Sequence, residues 1–134
     1  MESEFTTQLI AEGGIQGGAL LVFAMFIGHV LADYPLQGEF IANGKNRNLD
    51  HKKLFSEGTA PLFLWVHAMT AHCLIQAGFV WLITGSAVLA IVEFVVHWII
   101  DFVRCEGWIS FNVDQGLHFA CKVIYAVLLV YQIV

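Results

Sequence analysis

Histidine and carboxylate residues recur at helical spacing in three places along this chain: His29, Asp33 and Gln37; Glu93, His97 and Asp101; and Asp114 with His118. Residues four apart lie on one face of an α-helix, so each set presents its side chains together. Arg104 follows Asp101 nearly one turn on, Gln115 adjoins Asp114, and Lys122 follows His118 on the same face. A further apolar segment carries His67 early and His72 five residues later.

Neutral imidazole and carboxylate together are a ligand pair for zinc, iron or manganese, and a spacing of four lets two side chains of one helix reach one ion. The expected ligands of such a divalent metal are His29, Asp33, His67, His97, Asp101, Asp114 and His118, with zinc the first choice. Seven candidates exceed what one tetrahedral ion needs, so either two ions bind or some carboxylates orient the imidazoles. Gln37, Glu93, Arg104 and Gln115 are expected around the ligands, and His72 is expected to pack or hydrogen-bond away from them. A catalytic version would use the ion to acidify a bound water, with Asp33, Asp101 or Asp114 taking up the proton. The reaction would be metal-dependent hydrolysis of lipid-like esters or phosphoesters. Two other readings stand beside it. The polar groups can hold the helices together or form a partner contact, or they can conduct ions or protons if Glu93 and His72 extend the track across a bilayer.

The elements that must position these residues are apolar. Of the 134 residues, 58% are hydrophobic and 13% charged, and the mean hydropathy is +0.73, which points to a membrane rather than a soluble domain. Four apolar runs, at about 15–36, 61–83, 87–103 and 111–134, read as transmembrane helices of a single all-α domain, a polytopic four-helix bundle over residues 1–134. Thr59 is expected to cap the second run, with Pro61 in its first turn, and the first connection has room for a surface helix around residues 40–55. The first fourteen residues carry Glu2, Glu4 and Glu12 and no basic residue, so no cleavable signal peptide is expected.

Lys45, Arg47, Lys52 and Lys53 lie in the first connection and Arg104 in the third, whereas the N-terminal tail and the turn at Thr84 have no Lys or Arg. The positive-inside rule then places those connections in the cytoplasm, with both termini on the non-cytoplasmic side of what is expected to be a bacterial inner membrane. Trp81 and Tyr131 would mark the far interface and Trp65, Trp98 and Trp108 the near one. Because the helix directions alternate, all the His/Asp pairs would meet at the cytoplasmic end, a histidine layer beneath an aspartate layer. The partners implied are the lipid bilayer and a second copy or another membrane protein. A net charge of −5 with one short basic cluster excludes a nucleic-acid partner. The three cysteines, Cys73, Cys105 and Cys121, form no C-x-x-C pair and imply no disulfide framework.

The run Gly28-His29-Val30-Leu31-Ala32-Asp33-Tyr34-Pro35-Leu36-Gln37, then Lys45, His67, His97-x-x-x-Asp101 and Asp114-Gln115-x-x-His118, resembles the DUF3307 family of small bacterial and phage membrane proteins. The resemblance runs from residue 28 to 122 and implies a fold and a set of positions, but no reaction. The His-x-x-x-Asp layout is also similar to that of membrane-bound metal-dependent hydrolases.

Overall fold

The computed structural model describes residues 4–56 and 58–134; Glu2 of the acidic N-terminal tail lies outside them. Six α-helices and one 3-10 turn make up the regular structure among these residues, with no strand. They are α1 (Glu4–Gly13), α2 (Ile15–Asp33), α3 (Gly38–Gly44), the 3-10 turn His51–Leu54, α4 (Leu64–Thr84), α5 (Ala87–Cys105) and α6 (Phe111–Val130).

The expected runs end differently for local reasons. Helix α2 stops at Asp33 rather than near residue 36: Tyr34 still bonds back to the Val30 carbonyl, but Pro35 has no amide hydrogen to continue the ladder. Helix α4 starts at Leu64 because Phe63, its N-cap, adopts a left-handed conformation (φ 59°) that turns the chain just before the helix. Thr59 and Pro61 therefore lie ahead of α4 instead of capping it. Gly85 (φ 72°) ends α4, and the Ser86 hydroxyl, 3.2 Å from the Leu89 amide, caps α5 two residues after α4 stops. Ser110 caps α6 through the Val113 amide, and α6 stops at Val130. The expected surface helix is realised as α3 and the 3-10 turn, with an irregular stretch between.

Helix α1 is an element that hydropathy and spacing did not predict. It docks on α2 and α4, where the buried Thr6 hydroxyl donates to the Ile83 carbonyl at 2.8 Å. The close approach needs a glycine: a Cβ on Gly17 would lie 1.9 Å from the Leu9 carbonyl oxygen.

Three helices, α2, α4 and α6, are long and apolar enough to cross a membrane, not the four expected. Helix α5 has the length but carries Glu93, Asp101 and Arg104. Its chemistry is segregated by face: Glu93, His97 and Asp101 are buried, while Val88, Ile91, Val92, Val95 and Ile99 are exposed.

Helices α2, α4, α5 and α6 close a ring, each packing on the next. Inside it the bundle divides into two halves. One is an apolar core of Leu21, Met25, Val80, Leu89, Tyr125, Ala126 and Leu129. The other is polar, lying where α2 and α5 end and α4 and α6 begin, and α3 packs over it with Gly44 against Ala68 and Leu64. Outside the ring, Arg47 reaches back from the first connection to pair with Glu106 at 2.7 Å. Burial of the apolar half stabilises the packing between elements that have no other strong contacts there.

Candidate metal centre

Each wall of the ring supplies one imidazole to the polar half: His29 from α2, His72 from α4, His97 from α5 and His118 from α6, all essentially excluded from solvent. The His97 and His118 rings stack at 3.9 Å between centroids, and His29 lies 5.1 Å from His118. The carboxylates of Asp33, Asp101 and Asp114 lie just beyond them toward the helix ends. The layered arrangement expected from alternating helix directions is thus present, with one exchange of residues. His67 is exposed and stands apart from the cluster, and His72 occupies the α4 position. Five residues rotate a helix by about 140° beyond a full turn, so once His72 faces inward His67 must face outward.

Two groups of three potential donors converge, Asp33 with His72 and His97, and His97 with Asp101 and His118, so His97 belongs to both. His97 Nε2 lies 3.2 Å from His72 Nε2 and 3.5 Å from Asp101 Oδ1. His118 Nε2 lies 3.1 Å from Asp101 Oδ1, and His72 Nε2 is 3.4 Å from both Asp33 Oδ1 and Asp101 Oδ2. A tetrahedral ion with bonds of about 2.0–2.1 Å holds its ligand atoms about 3.3 Å apart, close to these separations, and the donor atoms of each group all lie within 4.8 Å of one another.

Hydrogen bonding fixes which ring nitrogens face the centre. The Gln76 amide nitrogen donates to Asp33 Oδ1 at 2.6 Å, which leaves Gln76 Oε1 to accept from His29 Nδ1 at 3.2 Å. His29 Nε2 then offers a lone pair, yet its neighbours are Asp33 Oδ2 at 3.3 Å and Gln115 Oε1 at 3.4 Å. Gln115 is itself oriented, because its amide nitrogen donates to Asp33 Oδ2 at 2.9 Å and to Asp114 Oδ2 at 3.2 Å. Asp33 Oδ2 thus has a donor in the Gln115 amide, but His29 Nε2 faces two oxygens with no donor directed at it, a gap that a cation or an added proton resolves. His97 is set in the same manner: Nδ1 donates to Glu93 Oε1 at 3.1 Å and turns Nε2 toward the cluster. His72 differs, since its Nδ1 is buried without a hydrogen-bond partner while its Nε2 faces both Asp33 and Asp101.

The charges point the same way. Four carboxylates, Asp33, Glu93, Asp101 and Asp114, share the polar half with two ammonium groups, Lys45 and Lys122. With Arg104 in the cavity wall and neutral imidazoles, the carboxylates still outnumber the cations by one in a region of low dielectric, an imbalance that a bound cation or a proton on one imidazole would offset. Lys45 reaches Asp101 Oδ2 from the end of α3 at 2.5 Å. Burial lowers the pKa of this ammonium, but the adjacent Asp101 carboxylate more than offsets it and holds the lysine above its ordinary value. Lys122 is fully buried and pairs with Glu93 beneath the histidines.

A cavity of about 340 Å³ opens onto the carboxylates, with Asp33, Asp101 and Asp114 lining it and Lys45 and Arg104 also in its wall. Asp114 Oδ1 is buried without a hydrogen-bond partner. Gln37 also lines the cavity; it donates to the Asp33 carbonyl at 3.1 Å while its Oε1 has no partner.

Of the residues singled out by spacing, His29, Asp33, His97, Asp101, Asp114 and His118 come together, with Glu93 and Gln115 bonded to them. Sequence reasoning missed His72, Gln76, and the pairing roles of Lys45 and Lys122. A signal existed for two of them: Gln76 is one turn beyond His72 on the same face, and Lys122 follows His118 by four.

No curated protein and no solved structure gives a significant match. A family model described as "protein of unknown function (DUF3307)" matches residues 21–133, which include every residue of the His/Asp cluster. Covering most of the chain, that match makes this protein a member of the DUF3307 family.

Proposed function

We propose that the polar half of the bundle is a divalent-metal centre, set just inside the cytoplasmic face of a bacterial inner membrane, that hydrolyses lipid-like ester or phosphoester substrates. The observation that carries this reading is the convergence of two three-donor groups on His97 at separations matching a tetrahedral ion. In this reading α5 is the fourth membrane span: it turns its acidic residues inward and an apolar face outward, so its charges do not meet lipid. Basic residues in the first and third connections support a cluster on the cytoplasmic side with both termini on the other.

When bound, the ion supplies Lewis acidity and a water acidic enough to attack near neutral pH. His97, His118, Asp101, Asp33 and His72 would hold it, with Glu93 orienting His97. Asp114, whose Oδ1 has no hydrogen-bond partner and lies 3.6 Å from His118 Nε2, would accept a proton from a water attacking in the cavity. The water oxygen bonds to the phosphorus or acyl carbon, the bond to the alcohol oxygen breaks, and the proton held by Asp114 passes to that alcohol.

Two observations weigh against the other readings. A conducting track would have to continue through the apolar half, which Leu21, Met25, Val80, Leu89 and Leu129 fill. A cluster serving only to join helices would be expected to pair its donors with its acceptors, whereas His29 Nε2 faces Asp33 Oδ2 and Gln115 Oε1 with no donor directed at it. Elemental analysis of protein purified in detergent after exposure to zinc, iron or manganese tests the proposal, together with hydrolysis of a chromogenic phosphoester. Wild type and His67→Ala should retain metal and His97→Ala should lose it. Metal-free wild-type protein after all three exposures would leave the cluster as helix packing alone.

A further inference from the structure

We infer that the cavity above the carboxylates receives the oxyanion of a phosphate or phosphoester, with Arg104 as its charged anchor; this rests on the metal reading of the floor beneath it. Arg104 lines the cavity with Asp33, Asp101 and Asp114, yet among the described residues its side chain makes no hydrogen bond or ion pair. The neighbouring cations are committed elsewhere. Lys45 is held by Asp101, and Arg47 spans both oxygens of Glu106 at 2.7 and 2.9 Å. A partly buried guanidinium without a counter-ion, in a cavity with three carboxylates, keeps its donor fork for a ligand, and that fork matches phosphate oxygens.

The acidic floor decides when such a ligand can enter. Without an ion, Asp33, Asp101 and Asp114 repel an anion, and Arg104 alone does not offset them. A divalent ion among those carboxylates would neutralise the floor and offer a Lewis-acidic position, and an oxyanion in the cavity could then reach both the ion and Arg104. The space, about 340 Å³, is at the lower end of ligand pockets and suits a headgroup rather than an acyl chain. Tyr34 and Phe111 line the same cavity and are about half exposed, as aromatic residues at a lipid headgroup boundary are. Neutral esters gain nothing from Arg104, so the site favours phosphoesters over carboxylic esters.

The test is calorimetric titration of inorganic phosphate into the full chain in nanodiscs, with zinc content measured on each sample. Zinc-loaded wild type should bind phosphate and zinc-free protein should not. Arg104→Gln should keep its zinc but bind phosphate at least roughly tenfold more weakly, and Arg104→Lys should fall between. In discs containing phosphatidic acid, weaker apparent phosphate binding identifies a lipid headgroup as the competing source of the oxyanion. Unchanged binding there identifies a soluble phosphate compound. Zinc-loaded protein that ignores phosphate, or Arg104→Gln that binds it as wild type does, overturns this assignment and leaves the metal centre standing. Failure of wild type to take up zinc, iron or manganese overturns both.

Discussion

The deepest charged pair offers a test of the bundle that does not depend on any ligand. Glu93 of α5 and Lys122 of α6 are each about 1% exposed, and they face one another inside the ring. Glu93→Gln removes the only carboxylate paired with Lys122 among the described residues. The ammonium would keep a neutral amide oxygen and the Tyr125 ring, 5.8 Å from its nitrogen, but no counter-charge. An ion stripped of its partner at such a site costs about 3–5 kcal/mol, and Glu93→Gln should fall in the upper part of that range. Lys122→Met should cost less, since Glu93 keeps the donor His97 Nδ1 at 3.1 Å. The double variant leaves no buried charge unpaired and has nearly the same volume, so it should lie within about 1–2 kcal/mol of wild type. The assay is a double-mutant cycle on unfolding in mixed detergent micelles, followed by helical circular dichroism. Two single variants that each cost under about 1 kcal/mol and add in the double would refute the reasoning, because they would mean that water or lipid headgroups reach the pair.

Gln76→Leu removes the amide that donates to Asp33 and accepts from His29, leaving two buried polar groups short of partners. It should cost about 1–3 kcal/mol of stability and about 10–100-fold in zinc affinity, measured by unfolding and by competition with a chelator. Equal affinity for zinc would remove Gln76 from the centre's support. Gly17→Ala places a methyl on the Leu9 carbonyl and should swing α1 off α2, read as faster protease cleavage between residues 4 and 17 with the rest of the chain intact. At the surface, hydrogen bonds from Arg47 hold the Glu106 carboxyl below the ordinary glutamate range. Its folded value lies beneath its unfolded one, so its contribution is complete above the unfolded pKa and is lost as pH falls through the folded one. The unfolding midpoints of wild type and Glu106→Gln should therefore converge between about pH 6 and about pH 3. A constant offset over that range would contradict the pairing.

Much of the candidate site is legible along the chain because it is written at helical spacing. On α5 the stripe Glu93, His97, Asp101 is set against valine and isoleucine at the intervening positions, so residue types alone mark its inward face. The pairs His29/Asp33 and Asp114/His118 also keep their expected places, and the meeting of all three at one end follows from helices that alternate in direction around the ring. Helix α4 carries only the pair His72 and Gln76, with no carboxylate, and His67 on another face competes with it. The helix is apolar nearly all round, and His67 and His72 are equally plausible inward residues by sequence. Helix α1 escaped notice for a related reason: its polar and apolar residues give no span, and its place depends on a docking surface formed by α2 and α4.

Hydropathy and the four-residue spacings were sufficient by themselves to establish an all-α, membrane-like chain with imidazoles and carboxylates gathered at one end of its helices. Tertiary structure alone decided the rotation of α4, which brings His72 and Gln76 inward and sends His67 out. It also decided that Lys45 and Lys122 serve as buried counter-ions. The physical reason is that a helix's rotation about its own axis is set by the surfaces packed against it. A segment apolar on every side holds no information about that choice until its neighbours are in place.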